Sequence, residues 1–219
     1  MPDHAMPDPA MPDPAAPDRP QLYLVTPPAF EPDAFADRLA RVLDGAEVAC
    51  VRLALASQSE ERLVRAADAL REVAHARDVP LVIERHVALA ERLGLDGVHL
   101  ADGARGVRKA RATLGADAIV GAFCGTSRHE GMTAGEAGAD YVAFGPVGGA
   151  ALGDGAVAAR ELFAWWSEMI ELPAVAEGAL TRERVADLAP VADFLALGEE
   201  IWSAEDPLAV LRDLLAPLG

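Results

Sequence analysis

The sequence predicts a single (β/α)8 barrel, and three observations carry that expectation. Short apolar runs recur eight times between residues 21 and 197, each followed by a stretch of helical periodicity. Most of these runs lack polar alternation, as strands covered on both faces do. The body of about 200 residues meets the lower end of what such a barrel needs. A doubly wound sheet is the rival, but it uses fewer strands, and the first crossover lacks the G-x-G-x-x-G of a dinucleotide site.

The elements follow in order. Residues 1–19 form a Pro/Asp repeat, MPDHA-MPDPA-MPDPA-APDR, with too little apolar content for a core, so a disordered tail is expected before a barrel domain over 20–219. The first strand is expected at 21–26, and a helix after Asp33 carries Phe35, Leu39, Val42 and Leu43 on one face. Strand two is expected at 48–53; the next helix aligns Leu63, Ala67, Leu70 and Ala74, with Ser57 and Glu60 spaced as a capping box. Strands at 81–84, 97–100, 119–122 and 141–145 follow, with Gly94, Gly115 and Gly138 where helices should stop. After Gly145 the run PVGGAALGDGA has four glycines, suiting either a lid or a loose connection. Trp165 and Trp166 sit on the next helix, one expected in the core and the other at a subunit contact of a homo-oligomer. Strands at 174–178 and 194–197 complete the set, with Thr181 as N-cap of Arg182–Leu188.

Composition narrows the function. The 219 residues are 52% hydrophobic and 25% charged, enough for a packed core. With 19 basic against 35 acidic residues the net charge is −16, which argues against nucleic acid as a partner. No apolar run is long enough for a membrane span, and no signal peptide is apparent. Cys50 and Cys124 do not make a disulfide scaffold, so a reducing, cytoplasmic setting is expected.

In a barrel the chemistry gathers where strands end. Arg52 closes strand two and could grip a phosphate or diphosphate bidentately, or pair with a carboxylate such as Glu84. Glu84, Arg85 and His86 follow strand three, as a site or as a solvated loop; His99 ends strand four, as an acid–base group or as a satisfied core histidine. Cys124 follows strand five before a helix, as a contact to substrate or as a small buried filler. Gly145, Gly178 and Gly198 end strands six, seven and eight. Amides after the last two are where barrels hold phosphate, though Glu177, Glu199 and Glu200 crowd the same turns.

The segments LYLVT, VR, LDGVHL, GEAGADYVAFGPV and VAEGALT, in that order, resemble thiamine phosphate synthases over residues 21–219. The resemblance implies transfer of a pyrimidine methyl group from its diphosphate to a thiazole phosphate, with magnesium and cationic side chains on the leaving group. It carries over the strand-two arginine as Arg52. The family's neighbouring lysine falls on Ala54 and its glutamine on Cys50; its Asn-Asp pair falls on Glu84 and Arg85, and its second metal aspartate on Ala104. Its serine after strand five falls on Cys124, its threonine-rich segment and lysine within 150–153, its paired glycines on Gly178 and Ala179, and its last serine near Glu199. The chain has one lysine, Lys109, and no asparagine, so no alignment restores that machinery.

The reading is therefore a synthase-like barrel of thiamine biosynthesis that binds a small-molecule thiamine precursor. Arg52, Glu84 and His99 are the catalytic candidates; Arg52, Arg85, Cys124, Gly145, Gly178 and Gly198 are the substrate contacts. No metal ligand and no cofactor is assigned, magnesium entering only if Glu84 or Asp102 rebuilds a site. The alternatives are a thiazole-tautomerase-like isomerase using His99, Glu84 or Cys124 for proton transfer, and a non-catalytic barrel holding a thiamine-type ligand or a protein partner.

Overall fold

A computed structural model describes residues 19–149 and 155–219. The tail expected over 1–19 lies outside the described residues except for Arg19, and so does the centre of the glycine-rich loop. Eight parallel strands close in sequence order: β1 (Gln21–Val25), β2 (Cys50–Leu53), β3 (Leu81–Glu84), β4 (Gly97–Leu100), β5 (Ile119–Phe123), β6 (Tyr141–Phe144), β7 (Ala174–Glu177) and β8 (Phe194–Leu197). Around them run α1 (Pro32–Gly45), α2 (Glu60–His75), α3 (Val87–Leu93), α4 (Val107–Leu114), α5 (Arg128–Glu136), α6 (Arg160–Met169), α7 (Arg182–Leu188), α8 (Glu199–Trp202) and α9 (Pro207–Leu215). Among the described residues no helix is long and apolar enough to cross a membrane.

Most boundaries match the sequence pattern, and the exceptions have local causes. Helix α1 starts at Pro32, ahead of Asp33, because proline is well placed in a first turn where its missing N–H is not needed. Helix α2 is capped by Ser59, whose hydroxyl accepts from the Arg62 amide; the Ser57–Glu60 box does not form, since Ser57 Oγ accepts from Ser59 N in the preceding turn. Strand β2 pairs with β1 from Cys50 onward, two residues later than the apolar run begins. Thr181 caps α7, and Gly94 closes α3 in the left-handed conformation, both as the sequence implied.

Two layers of packing result. Outward-facing strand residues such as Leu22, Leu24, Val51 and Ile83 meet the helices in the larger core. Inward-facing ones, among them Tyr23, Cys50, Val82, Tyr141 and Ala143, fill the barrel. Trp166 is fully buried and donates to the Leu172 carbonyl at 2.6 Å; Trp165 is half-buried under the Arg128 guanidinium, 4.5 Å from its ring.

At the opposite end from the strand termini, three aspartates repeat one device. Asp96, Asp140 and Asp193 each precede an even-numbered strand and accept from the neighbouring odd strand's first amides, at Leu81 N (2.7 Å), Val120 N (2.6 Å) and Ala174 N (2.8 Å). Each pins the register of two strands.

Gly121 makes room for the barrel's central ring. A Cβ there would stand 2.0 Å from the Tyr141 ring, whose hydroxyl is tethered and cannot swing aside. Gly121→Ala should therefore destabilise by about 1–3 kcal/mol, the usual cost of overpacking. Denaturant melts of the two proteins measure it.

Candidate active site

Strand register brings the polar groups together. Glu84, His99, Gly121 and Tyr141 are successive neighbours across β3, β4, β5 and β6, so their side chains form one row inside the barrel. Arg52 enters from β2 and Glu177 from the end of β7. Arg52 is only 6% exposed and His99 1%.

A buried guanidinium must find acceptors, and Arg52 finds two on one nitrogen. Its Nη1 donates to Glu177 Oε2 at 2.8 Å and to His99 Nε2 at 2.7 Å. Arginine never accepts, so Nε2 is the bare nitrogen and the ring proton lies on Nδ1. Nδ1 then donates to the Tyr141 hydroxyl at 2.9 Å, which shares a 2.7 Å hydrogen bond with the Tyr23 hydroxyl. The Tyr23 ring lies 5.8 Å from the guanidinium carbon. Glu84, the partner expected for Arg52, stands farther off: its Oε2 is 3.9 Å from Arg52 Nε, and its Oε1 accepts from Arg85 Nε at 3.0 Å. Glu177 reaches Arg52 Nη1 from β7 at 2.8 Å, closer than Glu84 comes from β3. Arg52 Nε is left buried without a hydrogen bond.

Protonation states follow from burial. Burial, and then the charges of Arg52 and Arg85, push the His99 pKa well below 6.5, so the ring is neutral. Burial raises both tyrosines. For Arg52 burial works against the charge, but Glu177 and the tyrosines outweigh it and its pKa rises. The network thus holds one ion pair and neutral neighbours.

Arg52, His99 and Glu177, but not the two tyrosines, line a cavity of about 520 Å³ at the carboxyl ends of the strands. Of the sequence candidates, Arg52, Glu84, Arg85, His99 and Gly145 meet there, together with Glu177. Cys124 does not line it. Its thiol is buried in the outer core, donates to Ala122 O at 3.5 Å, and borders a separate hollow beside Asp102 and Glu130. Burial, then Glu130, pushes its pKa up to about 12, and burial likewise holds Cys50 at about 12, so neither is a ready thiolate. Gly178 and Gly198 shape the turns after β7 and β8 without lining the cavity. Gly178 has φ +88° and Ala179 φ +57°, and the Gly198 and Leu180 amides both donate to Glu200 (2.8 and 3.2 Å).

The family resemblance implies magnesium, and the side chains here do not fit it. Magnesium wants an octahedron of oxygens. Glu84 accepts from Arg85 and has Arg52 3.9 Å away, Arg85 stands where an aspartate would be needed, and among the described residues no three His, Cys, Asp or Glu groups converge.

Tyr23, Tyr141 and Glu177 escaped the sequence reading as site residues. Their period-2 positions on β1, β6 and β7 were the available signal, since inward positions of neighbouring strands meet.

The architecture defines a class: a (β/α)8-barrel protein whose polar residues converge at the carboxyl ends of the strands, where barrel enzymes hold their substrates. Within that class the chain belongs to the thiamine monophosphate synthase family, which it matches over residues 22–201. It is 46% identical over 198 residues to a thiamine-phosphate synthase of Rhodospirillum centenum, covering 88% of this chain and 95% of that one. It is 38% identical over 196 residues to one of Erythrobacter litoralis, covering 87% and 92%. The fold is also that of a thiamine phosphate pyrophosphorylase from Pyrococcus furiosus, with a TM-score of 0.77 at 21% identity, covering 91% of this chain and 97% of that one.

Two measurements test this network. Arg52→Ala leaves Glu177 partly buried and unpaired, so stability should fall by about 3 kcal/mol or more, and Arg52→Ala with Glu177→Gln should recover part of it. Denaturant melts of the single and double variants decide. Because the His99 pKa is depressed on folding, the unfolded chain binds a proton there below about pH 6.5 that the folded chain refuses. Stability contributed by neutral His99 is therefore full above pH 6.5 and is lost as pH falls, by up to about 1.4 kcal/mol per pH unit. His99→Gln should flatten that dependence between pH 6.5 and 5, read from melting curves at stepped pH.

Proposed function

We propose that the chain is a thiamine phosphate synthase-like transferase that moves a pyrimidine methyl group from its diphosphate to a thiazole phosphate. Membership of the family and the position of Arg52 at the mouth of the barrel support this reading; the strand-end cluster around Arg52 is the observation that carries it. In the reaction the bond between the methylene carbon and the diphosphate oxygen breaks, its electron pair leaving with the diphosphate. The thiazole ring nitrogen then gives its lone pair to the carbon. No proton need move for that bond to form.

The chain's own residues would serve as follows. Arg52, fixed by Glu177 and His99, holds a planar cation at the mouth for the leaving group. Arg85, two-thirds exposed at φ +68°, can turn a second cation toward the same oxygens. His99 acts by position: both ring nitrogens are taken by Arg52 and Tyr141, so it orients the guanidinium and holds no free nitrogen to carry a proton. Glu84 balances the two arginines. Gly145 lets the β6 and β7 ends approach, since a Cβ there would stand 2.4 Å from the Glu177 carbonyl. On this reading the family's metal machinery has been replaced by guanidinium groups. A soluble, reducing cytoplasm is the setting we propose, with both thiols buried and unpaired.

The test is a direct assay. The full chain is given the pyrimidine methyl diphosphate and a thiazole substrate, free or phosphorylated, with and without magnesium, and diphosphate release and the coupled product are measured. Product is expected, and Arg52→Ala should lower kcat/KM about 10- to 100-fold, the worth of a hydrogen bond to a charged group. Absence of product from either thiazole form under all conditions would sink the reading.

A further inference from the structure

We propose that the groove between α2, α3 and α4 is a second ligand site, outside the barrel, for a phosphomonoester that carries a positively charged ring. Thiamine phosphate, the product of the transfer proposed above, has that chemistry, and Arg85 couples its binding to the mouth. The choice of this ligand rests on the transferase reading.

Helix α3 has seven residues where α2 has sixteen, and beside it opens a groove of about 690 Å³. That is the size of a small-molecule site and far more than a lone inorganic anion fills. Its floor is apolar and buried, made by Leu63 of α2, Leu89 of α3, Leu100 at the end of β4 and Ala110 of α4. Polar groups ring that floor. Arg85 and His86 stand between β3 and α3, Arg92 on α3 and Lys109 on α4. Gln58, Glu60 and Asp102 complete the rim. An apolar floor takes the body of a ligand, and a few polar groups around it fix the orientation.

The charges select the ligand. The chain has a net charge of −16 and one lysine, and that lysine is here. Arg92 is already paired with Glu60 at 2.6 Å. Among the described residues the Lys109 and His86 side chains make no hydrogen bond or ion pair, so both are open to an anion. The Arg85 guanidinium is two-thirds exposed and is held by Glu84 at 3.0 Å. A phosphate meets Lys109 as a point charge and Arg85 through its planar fork. The carboxylates of Glu60 and Asp102 on the same rim oppose a wholly anionic ligand and give a cationic ring its counter-charge.

Arg85 makes this groove matter to the mouth. Of the groove's lining it alone also borders the strand-end cavity that holds Arg52. A guanidinium drawn to a phosphate in the groove is lost to a diphosphate at the mouth. The two ligands therefore oppose each other, and by linkage to the same degree in both directions.

Because Lys109 is the only lysine, acetylation with acetic anhydride followed by peptide mass spectrometry reads this one position, with the N-terminal amine as reference. On the full chain, saturating thiamine phosphate should slow acetylation of Lys109 about 10-fold. Thiamine and inorganic phosphate, each with half of the recognised chemistry, should not do so at the same concentration. In calorimetric titration Lys109→Gln should weaken thiamine phosphate binding about 10- to 100-fold, and Lys109→Arg should recover part of it. Lys109 is exposed, so circular dichroism melts should show both variants folded, and the protection experiment needs no variant. In the transfer assay Lys109→Gln should keep the basal kcat/KM and lose most of the inhibition by added thiamine phosphate. No protection by thiamine phosphate, equal protection by inorganic phosphate, or binding and inhibition unmoved by Lys109→Gln overturns the proposal. Protection that the titrations confirm, with no product in the assay, would sink the transferase reading and leave the groove standing as a site.

Discussion

The ion pair between Arg52 and Glu177 is the constraint around which the interior of this barrel is arranged. A guanidinium pointing into a closed ring of strands has lost its water and must be repaid in acceptors. Glu177 supplies the charge and His99 a neutral nitrogen, and the choice of acceptor nitrogen fixes the tautomer that lets His99 bind Tyr141. Two tyrosine rings then need space, which Gly121 and the small inward residues Ala143 and Ala196 provide. Removing any one of these parts would leave another polar atom unsatisfied or a ring unsupported.

This arrangement also sets what the mouth can offer a substrate. The chain carries a net charge of −16, yet the cavity presents two guanidinium groups set against the carboxylates of Glu84 and Glu177. Such a surface is nearly neutral before anything binds. A strongly anionic substrate must draw on cations that are already engaged, whereas a weakly charged one need not. In the proposed reaction the leaving group gains charge as the carbon–oxygen bond opens, and a positioned guanidinium is worth more at that moment than in the ground state.

Some local expectations failed for reasons that recur in barrels. Ser57 and Glu60 have the spacing of a capping box, but Ser59 is the residue whose backbone leaves the strand-to-helix turn at the right angle. The apolar run of strand two begins at Val48, but the ladder with β1 starts at Cys50, because hydrophobicity marks burial and not pairing. The aspartates before β4, β6 and β8 carry no local signature either, since each serves a strand some 15 to 20 residues away.

The sequence by itself determined the eight strand–helix units, their order, the Thr181 cap and the glycine stops at Gly94, Gly115 and Gly138, and a short set of strand-end residues that do meet in one cavity: Arg52, Glu84, Arg85, His99 and Gly145. These are properties of periodicity and of chain direction, which are written locally. Only the tertiary structure decided which carboxylate Arg52 binds, that His99 is neutral with both nitrogens engaged, that Cys124 turns into the outer core, and that Glu200 closes on the amides of Leu180 and Gly198. Arg52 and Glu177 are 125 residues apart in the chain and 2.8 Å apart in the barrel. Closure of the sheet brings them together, and the alternation of side chains along two separate strands aims them at each other.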